Sequence, residues 1–170
     1  GDDDEAFQKV SSGFKADVLH LGELVLHDKA SVYLSDVQAK ELYFNDLRLV
    51  DKANVGFNRV DLTAARFSGS NVERFAFSNV NWPRLGARVV LLEEAEWRQG
   101  LSYGRPASAD QLNDGAERVI ENYRQLVLNF EGKRNYELAE EFHTSEMEML
   151  RQRAGSRLPA FLGRLRFHLS

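Results

Sequence analysis

Between Val55 and Trp82, apolar or small residues recur every five positions, in pairs two apart: Val55/Phe57, Val60/Leu62, Ala65/Phe67, Ser70/Val72, Phe75/Phe77 and Val80/Trp82. Neither the 3.6-residue period of a helix nor the two-residue alternation of a strand produces that spacing. The pairs continue upstream as Phe14/Ala16, Leu19/Leu21, Leu24/Leu26, Val32/Leu34, Val37/Ala39, Leu42/Phe44 and Leu47/Leu49. The step of five is broken twice, from Leu24 to Val32 and from Leu47 to Val55, where it is eight. Both breaks carry one frame, L-x-L-x-D-K-A-x-V-x-(L/F)-x-x-V, at Leu24–Val37 and Leu47–Val60, an offset of 23 residues. An internal repeat of this kind marks a chain wound into stacked units. The pattern predicts a short right-handed β-helix over residues 14–92, one residue of each pair facing the axis. Asp28-Lys29-Ala30 and Asp51-Lys52-Ala53 would form bulged corners, one above the other. An irregular sandwich or roll is the other architecture the alternation allows.

Past Leu92 the pattern changes. Residues 93–107 contain two Gly and a Pro and read as a connection. Ser108-Ala109-Asp110-Gln111 is a capping-box signature. A helix period follows through Leu112, Ala116, Val119/Ile120, Tyr123, Leu126/Val127 and Phe130. Glu131–Arg134 breaks it, and Asn135 caps a second helix running through Tyr136, Ala139, Phe142, Met149 and Leu150 to about Arg153. Residues 108–154 are therefore expected to form a helical hairpin covering the open end of the coil near Trp82 to Trp97. The whole is mainly β plus α, with a flexible acidic N-terminus over 1–13.

Composition narrows the function. The 170 residues carry a net charge of −4, so no basic excess is available to grip a phosphate backbone. The absence of cysteine removes disulfides, thiolate nucleophiles and thiolate metal sites. No G-x-x-x-x-G-K-(S/T) or G-x-G-x-x-G occurs. The longest apolar run, Val89–Leu92, is far too short to span a bilayer. Gly1–Glu5 lacks the basic and apolar regions of a signal peptide. Charge is segregated, however: residues 151–170 hold five Arg and no acid. As a helix within 155–170, capped by Ser156, the tail Arg157–Ser170 places Leu158, Phe161, Leu162, Leu165 and Leu169 on one face, flanked by Arg157, Arg164, Arg166 and His168. A basic amphipathic helix suits an anionic membrane surface or a partner protein, with Arg157, Phe161, Arg164, Leu165 and Arg166 as contact candidates. The plainer alternative is a third helix packed on the hairpin.

Among polar residues, Glu140-x-x-His143 has the spacing of a di-iron half-site, with Glu117 and Glu121 on the preceding helix as further oxygens. No second copy exists, so His143 beside Glu146 reads as a structural histidine. His20 and His27 occupy outward positions about one side of the coil apart.

Val60-Asp61-Leu62, Ala65-Arg66-Phe67, Ser70-Asn71-Val72 and Val80-Asn81-Trp82 resemble the A-(D/N)-L-x-x motif of the pentapeptide-repeat family. The chain departs from it in its larger inward residues, Phe75 among them, and in the two three-residue insertions. The resemblance implies a quadrilateral β-helix of three to four coils. Tyr123–Met149 is similar to a tetratricopeptide repeat at Leu126, Phe130, Tyr136, Ala139 and Phe142. Trp82-Pro83 together with Tyr123–Leu126 and Phe142–Met149 resembles a bacterial group of pentapeptide-repeat proteins whose transmembrane helices lie further along. That resemblance implies the soluble cytoplasmic part of a membrane-associated protein, at the inner face of the membrane. The expected function is a non-enzymatic scaffold or protein-interaction module with an unknown protein partner, no cofactor, no metal and no nucleic acid. The alternative is a DNA-mimic topoisomerase (gyrase) inhibitor, as some pentapeptide-repeat proteins are.

Overall fold

A computed structural model describes residues 8–156, with side chains over 13–155. Nine short strands come first: β1 (Gln8–Ser12), β2 (Lys15–His20), β3 (Val25–Leu26), β4 (Ser31–Ser35), β5 (Gln38–Tyr43), β6 (Arg48–Leu49), β7 (Asn54–Asn58), β8 (Ala65–Arg66) and β9 (Ala76–Ser78). The chain visits three parallel sheets in rotation, ordered β1-β4-β7-β9, β2-β5-β8 and β3-β6. Val10 lies opposite Tyr33, Tyr33 opposite Gly56, Leu19 opposite Leu42 and Leu26 opposite Leu49, each 23 residues on. The Tyr33 ring lies on Gly56, where a Cβ would sit 2.6 Å from it, so that register needs a glycine.

Corners between the sheets fall at the same interval. Left-handed backbone occurs at Gly13, Asp36 and Arg59; at Glu23, Asp46 and Gly69; and at Asp28 and Asp51. Asp and Gly tolerate that conformation better than β-branched or bulky residues do. Asp36 and Arg59 sit on successive corners and pair bidentately, both contacts at 2.7 Å. Each D-K-A frame is a turn closed by a backbone bond, Ala30 to His27 and Ala53 to Val50, both 3.1 Å. Arg74 lies against the second of them, donating to the carbonyls of Leu49, Asp51 and Ala53 at 2.5, 2.6 and 3.2 Å.

These pairings correct the expected four-sided right-handed β-helix over 14–92. The strands make three separate parallel sheets of four, three and two strands, none of them closed. On the stretch just before β8 the pairing shrinks to a single bridge, Asp61 to Asn81. A 3-10 turn, Val72–Arg74, follows β8 in place of another strand on β6, and the β7-to-β9 offset falls to 20 residues, as Phe57 to Phe77 shows. Two antiparallel hairpins follow: β10 (Arg84–Leu85) with β11 (Arg88–Val89), and β12 (Leu101–Ser102) with β13 (Arg105–Pro106). Between them lies helix α1 (Leu92–Arg98). The stretch 93–107 is thus a helix and a hairpin, not a plain connection, and β1 falls inside the segment expected to be a flexible N-terminus.

Helix α2 (Ala109–Gly132) opens with the capping box formed: the Ser108 hydroxyl accepts from the Gln111 amide and the Gln111 side chain accepts from the Ser108 amide. Helix α3 (Tyr136–Ser156) runs back along it. Sheets and helices share one core. From Leu34 to Phe75 the two-apart pairs are buried, Ala39 excepted. Aromatic contacts carry that core into the helices, from Phe57 on Phe77 (5.4 Å) through Phe77 on Trp82 (5.0 Å) to Trp82 on Phe142 (5.0 Å). Asn129 fixes α2 to the 3-10 turn with bonds of 2.7 Å to the Val72 and Phe75 carbonyls. No helix among the described residues is long and apolar enough to cross a membrane.

Candidate functional site

The basic tail lies outside the described residues, and with it Arg157, Phe161, Arg164, Leu165, Arg166 and His168. Glu140 and His143 are not joined in a ligand set. His143 is 58% exposed at its side chain and faces Glu146 at 3.4 Å, while Arg124 holds the same Glu146 at 2.9 Å. Glu117 pairs with Arg153, and Glu121 accepts from Gln125. No group of three or more His, Cys, Asp or Glu converges for a metal among the described residues. The His20 ring rests 5.6 Å from Tyr43.

The first turn of the sheet stack is a distinct surface. Among the described residues, strands β1, β2 and β3 are each paired on one side only. Phe14 and Leu24 hold the positions that Val37 and Leu47 hold 23 residues later. Phe14 is 44% exposed against 1% for Val37, and Leu24 is 42% exposed against 2% for Leu47. Val18 and Val25 are half exposed beside them. Among the described residues, stacked neighbours bury the later copies and nothing of the kind covers the first.

A second surface opens at the other side of the sheets. The β12–β13 hairpin turns through Tyr103 and Gly104, both left-handed, as a two-residue hairpin turn demands. The turn lies beside a buried ion pair: Arg66 Nη2 to Glu96 Oε1, 2.5 Å, with both side chains more than nine-tenths buried. A Cβ on Gly104 would lie 3.7 Å from Arg66 and 3.8 Å from Glu96. The Arg66 guanidinium also stacks 4.9 Å above the Tyr43 ring, whose hydroxyl donates to Glu41. Next to this pair Glu93 reaches from α1 to the residues just after β8, where its Oε1 accepts from the amides of Phe67 and Ser68. Its Oε2 is buried and has no hydrogen-bond partner. Burial outweighs those amide bonds and pushes the carboxyl up to about 7. Above lies a cleft of about 600 Å³ between Tyr43, the hairpin and the first turns of α2.

On the far side of α1, Glu94 is fully buried and accepts from Arg88 (2.6 and 3.0 Å), Arg98 (2.8 Å) and Tyr123 (2.5 Å). Burial alone would raise its carboxyl, but these donors hold it below the usual range. Tyr123 also accepts from the Leu91 amide at 2.9 Å, so one phenol ties α2 to the start of α1.

Sequence reasoning passed over Arg66, Glu93, Glu94 and Glu96. A run such as LLEEAEWR reads as a solvated connection, because charged side chains are seldom buried unless paired. The hairpin was signalled by Tyr103-Gly104 between Leu101-Ser102 and Arg105-Pro106; Glu94 had local donors in Arg88 and Arg98, whereas Glu93 and Glu96 had no local signal. Comparison with protein-family models, with curated proteins and with solved structures finds no match for this chain.

Proposed function

We propose that the chain is a non-enzymatic protein-interaction module that docks a partner on the exposed first turn of its sheets. The observation that supports this is the contrast between Phe14 and Val37, and between Leu24 and Leu47, at equivalent positions. A sheet edge that carries exposed apolar side chains is normally covered or blunted. Here four of the nine large apolar side chains exposed among the described residues fall between Phe14 and Val25. The other end of the stack is packed under α2 and α3. Among the described residues the outer edges of β2 and β3 are unpaired and offer main-chain hydrogen bonds, so the fitting partner is a protein contributing an extended segment with apolar side chains. A cytoplasmic setting at the inner face of a membrane belongs to the same proposal and rests on the arginine-rich sequence of 157–170.

A photo-crosslinking amino acid placed at Val18 or Val25 in living cells tests it. The expected outcome is a discrete adduct with another protein from either position and none from exposed Glu73. An adduct of twice the chain's mass would identify a second copy as the occupant and overturn a heterologous partner. Absence of any adduct would overturn the docking face altogether.

A further inference from the structure

We propose that the cleft between Tyr43, the β12–β13 hairpin and the start of α2 binds a small oxyanion that also carries hydroxyl or amine donors. It is a different surface from the exposed first turn and does not depend on that reading.

Three observations point to it independently. Arg105 on the hairpin and Arg118 on α2 both face the cleft, and neither makes a hydrogen bond or ion pair among the described residues. Both are exposed at the mouth of the cleft, and each guanidinium presents a planar fork of donors matched to carboxylate or phosphate oxygens.

The second is Gly115, which lies inside α2 and lines the cleft. Glycine weakens a helix interior, and no close contact requires it here: a Cβ would meet nothing within 4 Å. The residue leaves cleft volume empty instead of accommodating a neighbouring side chain.

The third is the inner wall. A void of about 30 Å³, room for one small polar group, is lined by Glu93 and Glu96. It shares Ser68, Ser102, Tyr103, Gln111 and Gly115 with the cleft above. Glu93, 8% exposed, lines this void, and its buried Oε2 has no hydrogen-bond partner. A buried carboxyl oxygen is normally satisfied, so the lack of a partner at Oε2 beside a cavity calls for a ligand group or an ordered water. Asp114, on the cleft wall with Arg118, adds an acceptor that a bare anion would not need. Guanidiniums for the oxyanion and the Asp114 carboxylate for its donors together select a hydroxylated or amino-bearing organic acid or phosphate ester.

Isothermal titration of the purified chain with glycerol 3-phosphate and with malate, against sodium chloride at equal ionic strength, tests the assignment. The two probes distinguish a phosphate ester from a carboxylic acid as the source of the oxyanion. Saturable binding of either, weakened at least about tenfold in R105A/R118A, is expected from loss of the charge-assisted contacts. G115A is the decisive variant: it should weaken binding while raising Tm, because its methyl fills the cleft and favours the helix. Neither probe binding above the chloride control would overturn the assignment. So would binding that survives either variant unchanged.

Discussion

Arg66 on β8 and Glu96 on α1 are joined at 2.5 Å with both side chains more than nine-tenths buried, thirty residues apart in sequence. The pair fixes α1 against the sheet stack. Replacing Glu96 with Gln keeps the shape and removes the counter-charge. Losing one partner of a buried pair costs about 3 kcal/mol, whereas exchanging both for apolar residues is often neutral. Urea unfolding of E96Q should therefore show a large loss of stability and R66M/E96M a much smaller one. Equal losses in the two variants would show that packing, not charge, holds the joint.

Glu93 makes stability depend on pH. Its carboxyl titrates at about 7 in the fold, against an ordinary value of 4.5. The folded chain therefore keeps a proton that the unfolded chain has released, and folding takes up that proton between the two values. The sign follows: the contribution is complete below pH 4.5 and is lost as pH rises to 7, on the order of 3 kcal/mol in all. Glu96 adds to the rise, and the Phe67 and Ser68 amides oppose it. Thermal melts from pH 5 to 8 should fall more steeply for the native chain than for E93Q, which carries no titrating group there. Parallel profiles would contradict a buried, protonated Glu93.

Tyr123 serves two partners with one oxygen, donating to Glu94 and accepting from Leu91. Tyr123→Phe leaves the buried Leu91 amide without its acceptor and Glu94 with one donor fewer. The expected loss is about 2 kcal/mol, read from denaturant midpoints. A change below a few tenths would mean that water replaces the phenol.

The parts legible in the sequence are those governed by neighbours a few positions away. The five-residue beat picks out Leu42, Phe57, Leu62 and Phe75, all buried, because alternation of inward and outward residues is local. The D-K-A frames mark real turns because Asp28 and Asp51 adopt left-handed backbone there. The Ser108 capping box is equally local. What the beat did not reveal is how the strands group: three open parallel sheets instead of a four-sided coil. That depends on where the 3-10 turn at Val72 replaces a strand, and the apolar spacing does not change at that point. Glu93, Glu94 and Glu96 were illegible for another reason. Glu96 and Glu93 find Arg66 and Ser68 30 and 25 residues away, and Glu94 adds Tyr123, 29 residues away, to its near donors Arg88 and Arg98. A glutamate in sequence looks solvated until its donors are found.

Hydrogen exchange on the isolated chain measures most directly whether the first turn is an unoccupied edge. Leu21 donates to Tyr43 at 2.8 Å, so the alternate amides of Val18 and His20 point away from β5. Leu42 and Phe44, one turn on, donate to Ala64 and Arg66 at 3.0 and 2.8 Å. The expected result is rapid exchange at Val18 and His20, with strong protection at Leu42 and Phe44. Protection at Val18 and His20 equal to that at Leu42 and Phe44 would mean the edge is already covered, and would contradict a docking face there.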